Sequence, residues 1–289
     1  GGAAVIVVAT VLIALLAGAV AALVLDAAGT APQASALDAE RAEQWLITRA
    51  PARWRRALRH VDRRVFGGVG AAAALAVVLL VGSLVGWTLD TVDEADGLAR
   101  WDRAAAEWGR DNAGPASTEV LRAVTHLGAS GLLLPLMAVV AVAVDGRHRR
   151  WNALAYVAVI GGGVLVLNNG LKLLVDRDRP DLQQLVGHSG ASFPSGHSAA
   201  AAACWAAIAL VVTRRRRRAL RALAITVAAA VTVAVAASRV LLGVHWLTDV
   251  VAGVLVGWGW FLVVSILFGG RLLRFGEPAE RVARTTPAG

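Results

Sequence analysis

Three short polar blocks of an otherwise apolar chain carry residue types that can do chemistry. In chain order they contain Lys172 with Arg179 and Pro180, the run Pro194-Ser195-Gly196-His197, and Ser238 with Arg239 followed by His245 and Asp249. Imidazole groups transfer protons and can attack phosphorus, whereas lysine and arginine side chains bind anions. The chain has 29 lysine and arginine residues, and Lys172 is the only lysine among them. The combination predicts a site for a dense anion such as phosphate.

The second block is typical of a helix N-terminus that receives an anion. Ser195 is a favourable N-cap, and Gly196 leaves backbone N–H groups accessible where the helix dipole attracts negative charge. His197, in the first turn, would then reach an oxygen of the bound group. A simple capped helix would explain Ser195 but would give no role to His197.

The third block pairs an imidazole with a carboxylate. His245 and Asp249 lie four residues apart, which places them on one helical face if a helix begins that early. The carboxylate would keep one imidazole nitrogen protonated and aim the other outward. With Arg239, Lys172 and Arg179, three cations surround the two histidines. The acidic residues beside Lys172 and Arg179 are interpreted as salt partners, so we expect neither a metal nor a cofactor.

The chain that positions these blocks is apolar enough to cross a membrane several times. It has 289 residues, 57% of them hydrophobic. A bilayer core about 30 Å thick needs roughly 20 apolar residues in a helix. Seven runs are candidates: 3–25, 66–89, 120–144, 153–171, 197–213, 219–237 and 248–268. Because backbone polar groups must pair within each span, we predict an all-α, polytopic membrane helix bundle.

Arginine clusters indicate which ends of the spans face the cytoplasm. They occupy 53–64, 147–150, 214–221 and 271–274. By the positive-inside rule these segments are cytoplasmic, and alternation of the spans then places all three polar blocks at the opposite boundary. We therefore expect an integral plasma-membrane protein with an extracytoplasmic site. The arginines at 214–218 are interpreted as a topology anchor, so no nucleic-acid partner is expected.

Tryptophans add two further expectations. Trp101 and Trp108 lie in the charged segment 98–111, which predicts an amphipathic helix on the outer surface or a lid over the site. Four other tryptophans near span ends are predicted to anchor in the membrane interface: Trp87, Trp246, Trp258 and Trp260.

The order and spacing of the three blocks closely resemble the signature of the type 2 phosphatidic acid phosphatase superfamily. In this chain the signature is Lys-x6-Arg-Pro, Pro-Ser-Gly-His and Ser-Arg-x5-His-x3-Asp, with every position filled. The resemblance covers 66–268 and implies a six-helix phosphatase core. Residues 1–65 would add an N-terminal transmembrane helix, expected to be retained because no signal-peptide pattern is present, and a basic cytoplasmic linker. Residues 269–289 would form a cytoplasmic tail.

The resemblance also implies a role for each residue of the signature. His245 would attack phosphorus, Asp249 would orient it, and His197 would protonate the leaving oxygen. The phosphate would be held by Lys172, Arg179, Ser195, Gly196 and Arg239. A phosphohistidine would form and water would hydrolyse it, with a phosphorylated membrane lipid as the substrate and the lipid bilayer as the surroundings.

Several alternatives remain open at the level of sequence. The phosphohistidine could pass its group to an alcohol acceptor, which would make the protein a lipid-linked phosphotransferase. A non-catalytic membrane protein that binds an anion would also use such cations. Diacyl lipid phosphates and polyprenyl diphosphates, such as undecaprenyl diphosphate, both fit, because each places phosphate at the interface and its tail in lipid. The oligomeric state is open, and heavy alanine and arginine usage indicates a bacterial source.

Overall fold

The computed structural model describes residues 63–93, 97, 99–145, 152–181, 185–187, 190–213 and 216–272. Within these ranges the chain forms eight helices and no strand, which confirms the all-α prediction. The helices are α1 (Arg63–Asp93), α2 (Arg100–Asp111), α3 (Pro115–His126), α4 (Ser130–Asp145), α5 (Asn152–Leu174), α6 (Gly196–Thr213), α7 (Arg218–Leu241) and α8 (Leu247–Leu272). The predicted span 3–25 and the tail beyond 272 lie outside the described residues.

Among the described helices, α1, α5, α6, α7 and α8 are each long and apolar enough to cross a membrane. Helices α3 and α4 together would make a sixth crossing, but they meet at an angle of 47°. The prediction of one continuous span over 120–144 was therefore wrong in detail. The helix begins earlier, at Pro115, and is interrupted between His126 and Ser130.

Contacts with α6 explain this interruption. A Cβ atom at Gly128 would lie 2.8 Å from the carbonyl oxygen of His197, so only glycine lets the chain pass this close. The indole nitrogen of Trp205 donates to the carbonyl oxygen of Leu127 at 2.9 Å, satisfying an acceptor at the end of α3. The break thus holds the α3–α4 corner against the first turn of α6.

Helix α6 lies at the centre of the bundle and packs against α4, α5, α7 and α8. Its alanines at 199–203 are all buried. Small side chains allow the backbones of neighbouring membrane helices to approach closely. The alanine-rich sequence of α6 therefore suits a helix that is surrounded by others.

Gly257 of α8 lies where α8 crosses α6. A Cβ atom there would lie 2.3 Å from the Ala199 carbonyl oxygen and 2.7 Å from the Cβ of Ala202. We therefore expect Gly257→Ala to separate the helices and reduce the free energy of unfolding by about 1–3 kcal/mol. Thermal unfolding of the purified protein in detergent measures this. Gly162→Ala is the control, because nothing lies within 4 Å of its Cβ position. Equal unfolding midpoints for the two variants would contradict the close crossing.

Trp260 is not the interfacial anchor that the sequence predicted. It is only 3% exposed, and its indole nitrogen lies 3.1 Å from the carbonyl oxygens of both Val159 and Ile160 in α5. The prediction was wrong because the indole N–H finds its acceptor on a neighbouring helix rather than at the membrane surface. Trp87 and Trp258 are exposed at 52% and 38%, and their anchoring stays a prediction.

The connections that carry the three polar blocks lie at the same end of the bundle. Helix α5 ends at Leu174 and α6 begins at Gly196, while α7 ends at Leu241 and α8 begins at Leu247. Because successive spans alternate in direction, these four helix ends meet. The arginines at 216 and 217 are at the other end, between α6 and α7, and Arg218 begins α7.

Candidate active site

A cavity of about 550 Å³ is present at this end of the bundle. Of the predicted site residues, its wall includes Lys172, Arg179, Gly196, His197, Arg239 and His245. Ser195 and Asp249 are fully buried next to these residues. The fold therefore brings together all three polar blocks, which are separated by many residues in the sequence.

Two of the cations are oriented by backbone carbonyl groups of the flanking loops. Lys172 Nζ donates to the Ala191 oxygen at 2.8 Å. Arg179 donates to the oxygens of Val244 at 2.6 Å and Gly190 at 3.1 Å. Carbonyl acceptors orient a cation without cancelling its charge, which suits side chains that face an anion site.

The third cation, Arg239 of α7, is almost fully buried. One of its terminal nitrogens donates to Thr125 Oγ1 of α3 at 2.9 Å. Its Nε atom has no hydrogen-bond partner among the described residues, and the same holds for the side-chain oxygen of Asn168. Both residues line the cavity. Because an unpaired buried polar atom costs free energy, the Nε–H of Arg239 would gain an acceptor from a bound phosphoryl group, and the Asn168 oxygen would gain a donor from a bound hydroxyl group or water.

His245 lies in the turn between α7 and α8 and is 2% exposed. Its Nε2 atom is 3.3 Å from a terminal nitrogen of Arg179, and its Nδ1 atom is 3.4 Å from Asp249 Oδ2. Because arginine can only donate, Nε2 is the unprotonated nitrogen that accepts and Nδ1 carries the proton. The tautomer that the sequence predicted for a nucleophile is therefore the one that these contacts favour.

The charge state of His245 also suits a nucleophile. Burial lowers the pKa of the imidazole to about 4, although the hydrogen bond with Asp249 acts in the opposite direction. The ring is therefore neutral at pH 7, with Nε2 unprotonated. Burial also lowers the pKa of Arg179 from its ordinary value, but an arginine still carries its charge at neutral pH.

The start of α8 determines how Asp249 meets His245. Helix α8 begins at Leu247, two residues after His245, so the pair does not share a helical face. Asp249 lies in the first turn, and its Oδ2 atom accepts the backbone N–H of Trp246 at 2.9 Å. In a capping box, a carboxylate at the third position of a helix accepts the backbone N–H of the residue that directly precedes the helix, which is Trp246 here. The cap brings the carboxylate back toward the imidazole.

The second block supports the cavity through its backbone. Ser195 directly precedes α6, and its hydroxyl oxygen accepts from Ser198 Oγ at 3.0 Å. The Ser195 N–H donates to the carbonyl oxygen of Asp249 at 3.0 Å, which ties the second block to the third. Gly196 and His197, the first residues of α6, reach the cavity wall.

Two residues that the sequence analysis missed also hold Asp249. The hydroxyl group of Ser192 donates a short hydrogen bond to Asp249 Oδ2. Arg177 donates to Asp249 Oδ1 at 2.6 Å. Arg177 stands two residues before the predicted Arg179. Its role could not be recognised from the signature, to which it does not belong.

The predicted amphipathic segment forms α2, which lies beside the site. Trp101 and Trp108 are exposed at 54% and 60%, whereas Asp102, Ala106 and Gly109 are buried. Helix α2 packs against α7 and α8, and none of its residues belongs to the described wall of the cavity. This arrangement favours the surface helix over the lid.

Comparisons with known proteins agree with this geometry. The model of the PAP2 superfamily matches residues 151–272, which contain all three blocks. Phosphatidylglycerophosphatase B of Bacillus subtilis is 38% identical over 165 residues, covering 56% of this chain and 80% of that protein. Decaprenylphosphoryl-5-phosphoribose phosphatase of Mycobacterium tuberculosis is 30% identical over 164 residues, covering 54% of this chain and 84% of that protein.

A solved structure has a similar fold. It is the crystal structure of a transmembrane PAP2-type phosphatidylglycerolphosphate phosphatase from Bacillus subtilis, with 32% sequence identity and a TM-score of 0.58. The alignment covers 66% of this chain and 93% of that one. The likeness thus extends over almost the whole of the solved chain.

Proposed function

Because the chain belongs to the PAP2 superfamily, we propose that it hydrolyses a phosphomonoester or diphosphate of a membrane lipid through a phosphohistidine. The observation that carries this proposal is the convergence of three cations and two histidines on one cavity. The long apolar helices make the chain an integral membrane protein, so its substrate reaches the site from the bilayer.

In the first step, His245 Nε2 attacks phosphorus while the bond to the leaving oxygen breaks. Asp249 holds the Nδ1 proton and offsets the positive charge that develops on the ring. His197, on the cavity wall, protonates the leaving oxygen. The products of this step are the lipid alcohol, or a lipid monophosphate if the substrate is a diphosphate, and phosphorylated His245.

In the second step, water attacks the phosphohistidine and gives a proton to His197, and inorganic phosphate leaves. Lys172, Arg179 and Arg239 bind the equatorial oxygens in both steps, together with the N-terminus of α6 at Gly196. Phosphoryl transfer depends mainly on positioning and charge stabilisation. Cations fixed by the protein would supply both.

The position of the site follows from the arginines at the other end of the bundle. The described arginines at 216 and 217 connect α6 to α7, which begins at Arg218. By the positive-inside rule this end would be cytoplasmic, so the proposed site faces the extracytoplasmic side. A lipid phosphate in the outer leaflet would then enter with its tail still in the membrane.

A substrate panel tests the function. Purified protein in detergent is given phosphatidylglycerophosphate, phosphatidic acid and undecaprenyl diphosphate, and inorganic phosphate is measured. We expect release from at least one of them, and the similarity to phosphatidylglycerophosphatase B makes phosphatidylglycerophosphate the first choice. Transfer to an added alcohol without phosphate release would indicate a phosphotransferase. Binding without any turnover would contradict the proposal.

Phosphate release should not depend on a divalent metal ion. The wall of the cavity contains three cations and, among the described residues, no carboxylate side chain that a divalent ion would prefer. We therefore expect the same rate in excess EDTA as in excess Mg²⁺. A Mg²⁺-dependent phosphatase assayed in parallel shows that chelation is complete. A loss of activity in EDTA that Mg²⁺ restores would contradict metal independence.

A further inference from the structure

The carboxylate of Asp249 is held by more groups than the proposed reaction uses directly. Its Oδ2 atom accepts from Ser192, from the Trp246 backbone and from His245. Its Oδ1 atom accepts from Arg177 at 2.6 Å. Asp249 is fully buried. Among the described residues, Arg177 is the arginine that binds this buried carboxylate, and it holds the oxygen that the other three groups do not.

Arg177 also binds a second buried carboxylate, which comes from a distant part of the chain. Its other terminal nitrogen donates to Asp102 Oδ2 at 2.8 Å. The side chains of Arg177 and Asp102 are 16% and 5% exposed, so the pair is shielded from water. The planar fork of one guanidinium thus bridges Asp102 on α2 to Asp249 on α8.

Asp102 is itself fixed by the first turn of α8. Its Oδ1 atom accepts the backbone N–H of Thr248 at 2.8 Å, and its Oδ2 atom accepts the Thr248 hydroxyl at 2.7 Å. The N-terminal N–H groups of a helix lack partners within the helix, so Asp102 caps α8 from outside. This cap and the bridge through Arg177 act on the same turn that contains Asp249.

We propose that Asp102 and Arg177 are positioning residues for the reaction, acting through Asp249 on His245. The proposal rests on the proposed function, and neither residue belongs to the three-part signature. Within the group Asp102, Arg177 and Asp249, two carboxylates and one guanidinium leave one net negative charge on the Nδ1 side of the His245 ring. This charge opposes the positive charge that develops on the ring when Nε2 forms its bond to phosphorus.

Loss of the Asp102 charge would leave Arg177 with Asp249 as its carboxylate partner in this network. The guanidinium would then draw Asp249 away from His245 Nδ1, and the net negative charge beside the ring would be lost. Neither residue lines the cavity, so substrate binding would change little. The effect should therefore appear in kcat rather than in KM.

The first test compares Asp102→Asn with Glu107→Gln in the phosphate-release assay. Asp102→Asn keeps the shape of the side chain, and we expect it to lower kcat about 10-fold or more with KM unchanged. Glu107 lies on the same helix, where it pairs with Arg103 at the exposed surface, so Glu107→Gln should keep the wild-type kcat. Equal kcat values for wild type and Asp102→Asn would overturn the proposal.

A double-mutant cycle separates positioning from a purely structural role. If Asp102 acts through Asp249, Asp102→Asn should cost less than about 2-fold in kcat when Asp249→Asn is already present. If Asp102 had a purely structural role, Asp102→Asn would lower kcat by the same factor with and without Asp249→Asn. That result would overturn the proposal. Thermal unfolding of each variant accompanies the assay.

Substitution of Arg177 gives an independent test if Asp102→Asn does not fold. Arg177→Lys keeps the charge but lacks the fork that bridges two carboxylates. We expect it to lower kcat with KM unchanged, and Arg177→Gln to lower kcat further. An unchanged kcat in Arg177→Lys would exclude the bridge. If the wild-type protein itself releases no phosphate, the proposed function has failed; if only the variants behave as wild type, the positioning role alone has failed.

Discussion

His245→Ala should reduce the rate of phosphate release by at least about 10³-fold, because it removes the nucleophile that the reaction requires. The remaining cations and His197 still form the anion site, so a lipid phosphate should still bind. Rates are measured on the substrate that gives the highest activity in the panel. Binding of the same lipid is measured on the inactive variant.

His126→Ala is the matched control for this experiment. His126 ends α3 close to the site but is exposed and is not part of the described cavity wall. We expect it to keep the wild-type rate, and thermal unfolding of both variants shows whether each is folded. Retained activity in His245→Ala would contradict the assignment of the nucleophile.

His197→Asn should have the second-largest effect, and its size should depend on the leaving group. A lipid alcohol is a poor leaving group that needs a proton, so loss of the general acid should slow its release about 10²–10⁴-fold. The 4-nitrophenolate ion leaves without a proton. The rate of the first turnover of 4-nitrophenyl phosphate should therefore fall much less in His197→Asn than the rate with the lipid.

The two steps can be separated by the time course of 4-nitrophenolate release. His197 also takes a proton from water in the second step, so the variant should show a fast first turnover followed by slow steady-state release. Equal losses of the first-turnover rate for the lipid and the aryl substrate would exclude His197 as the acid. Wild-type protein, assayed with both substrates, is the reference.

Much of the site could be predicted because its chemistry is concentrated in short stretches of sequence. Lys172, His197 and Arg239 each belong to a local motif, and the alternation of apolar spans places these motifs at one membrane boundary. Placing the motifs at one boundary requires only the order and the length of the apolar spans. The cavity that these residues share is consistent with that prediction.

The support around Asp249 could not be predicted in the same way. Asp102 and Arg177 are 75 positions apart in the sequence, and a charge alone does not identify its partner. The best local signal was the spacing of Asp102, Ala106 and Gly109 on α2, since these residues share one helical face. Two small residues on a face mark it as packed, and an acidic residue among them must then find a buried partner.

The corner between α3 and α4 shows a second limit of sequence reasoning. The residues from 120 to 144 have the length and the overall hydropathy of one span, although His126, Gly128 and Ser130 lie at the break. The interruption arises from contacts with α6, where Gly128 lies against His197 and Leu127 accepts from Trp205. Tertiary contacts of this kind override a local pattern.

The most direct test of the central claim is to trap the phosphorylated enzyme. Protein is mixed with lipid carrying a radiolabelled phosphate and quenched in alkali, in which phosphohistidine survives; the label is then mapped by mass spectrometry. We predict label on His245 in the wild-type protein and none in His245→Ala. Active enzyme that carries no label, or label on another residue, would contradict this prediction.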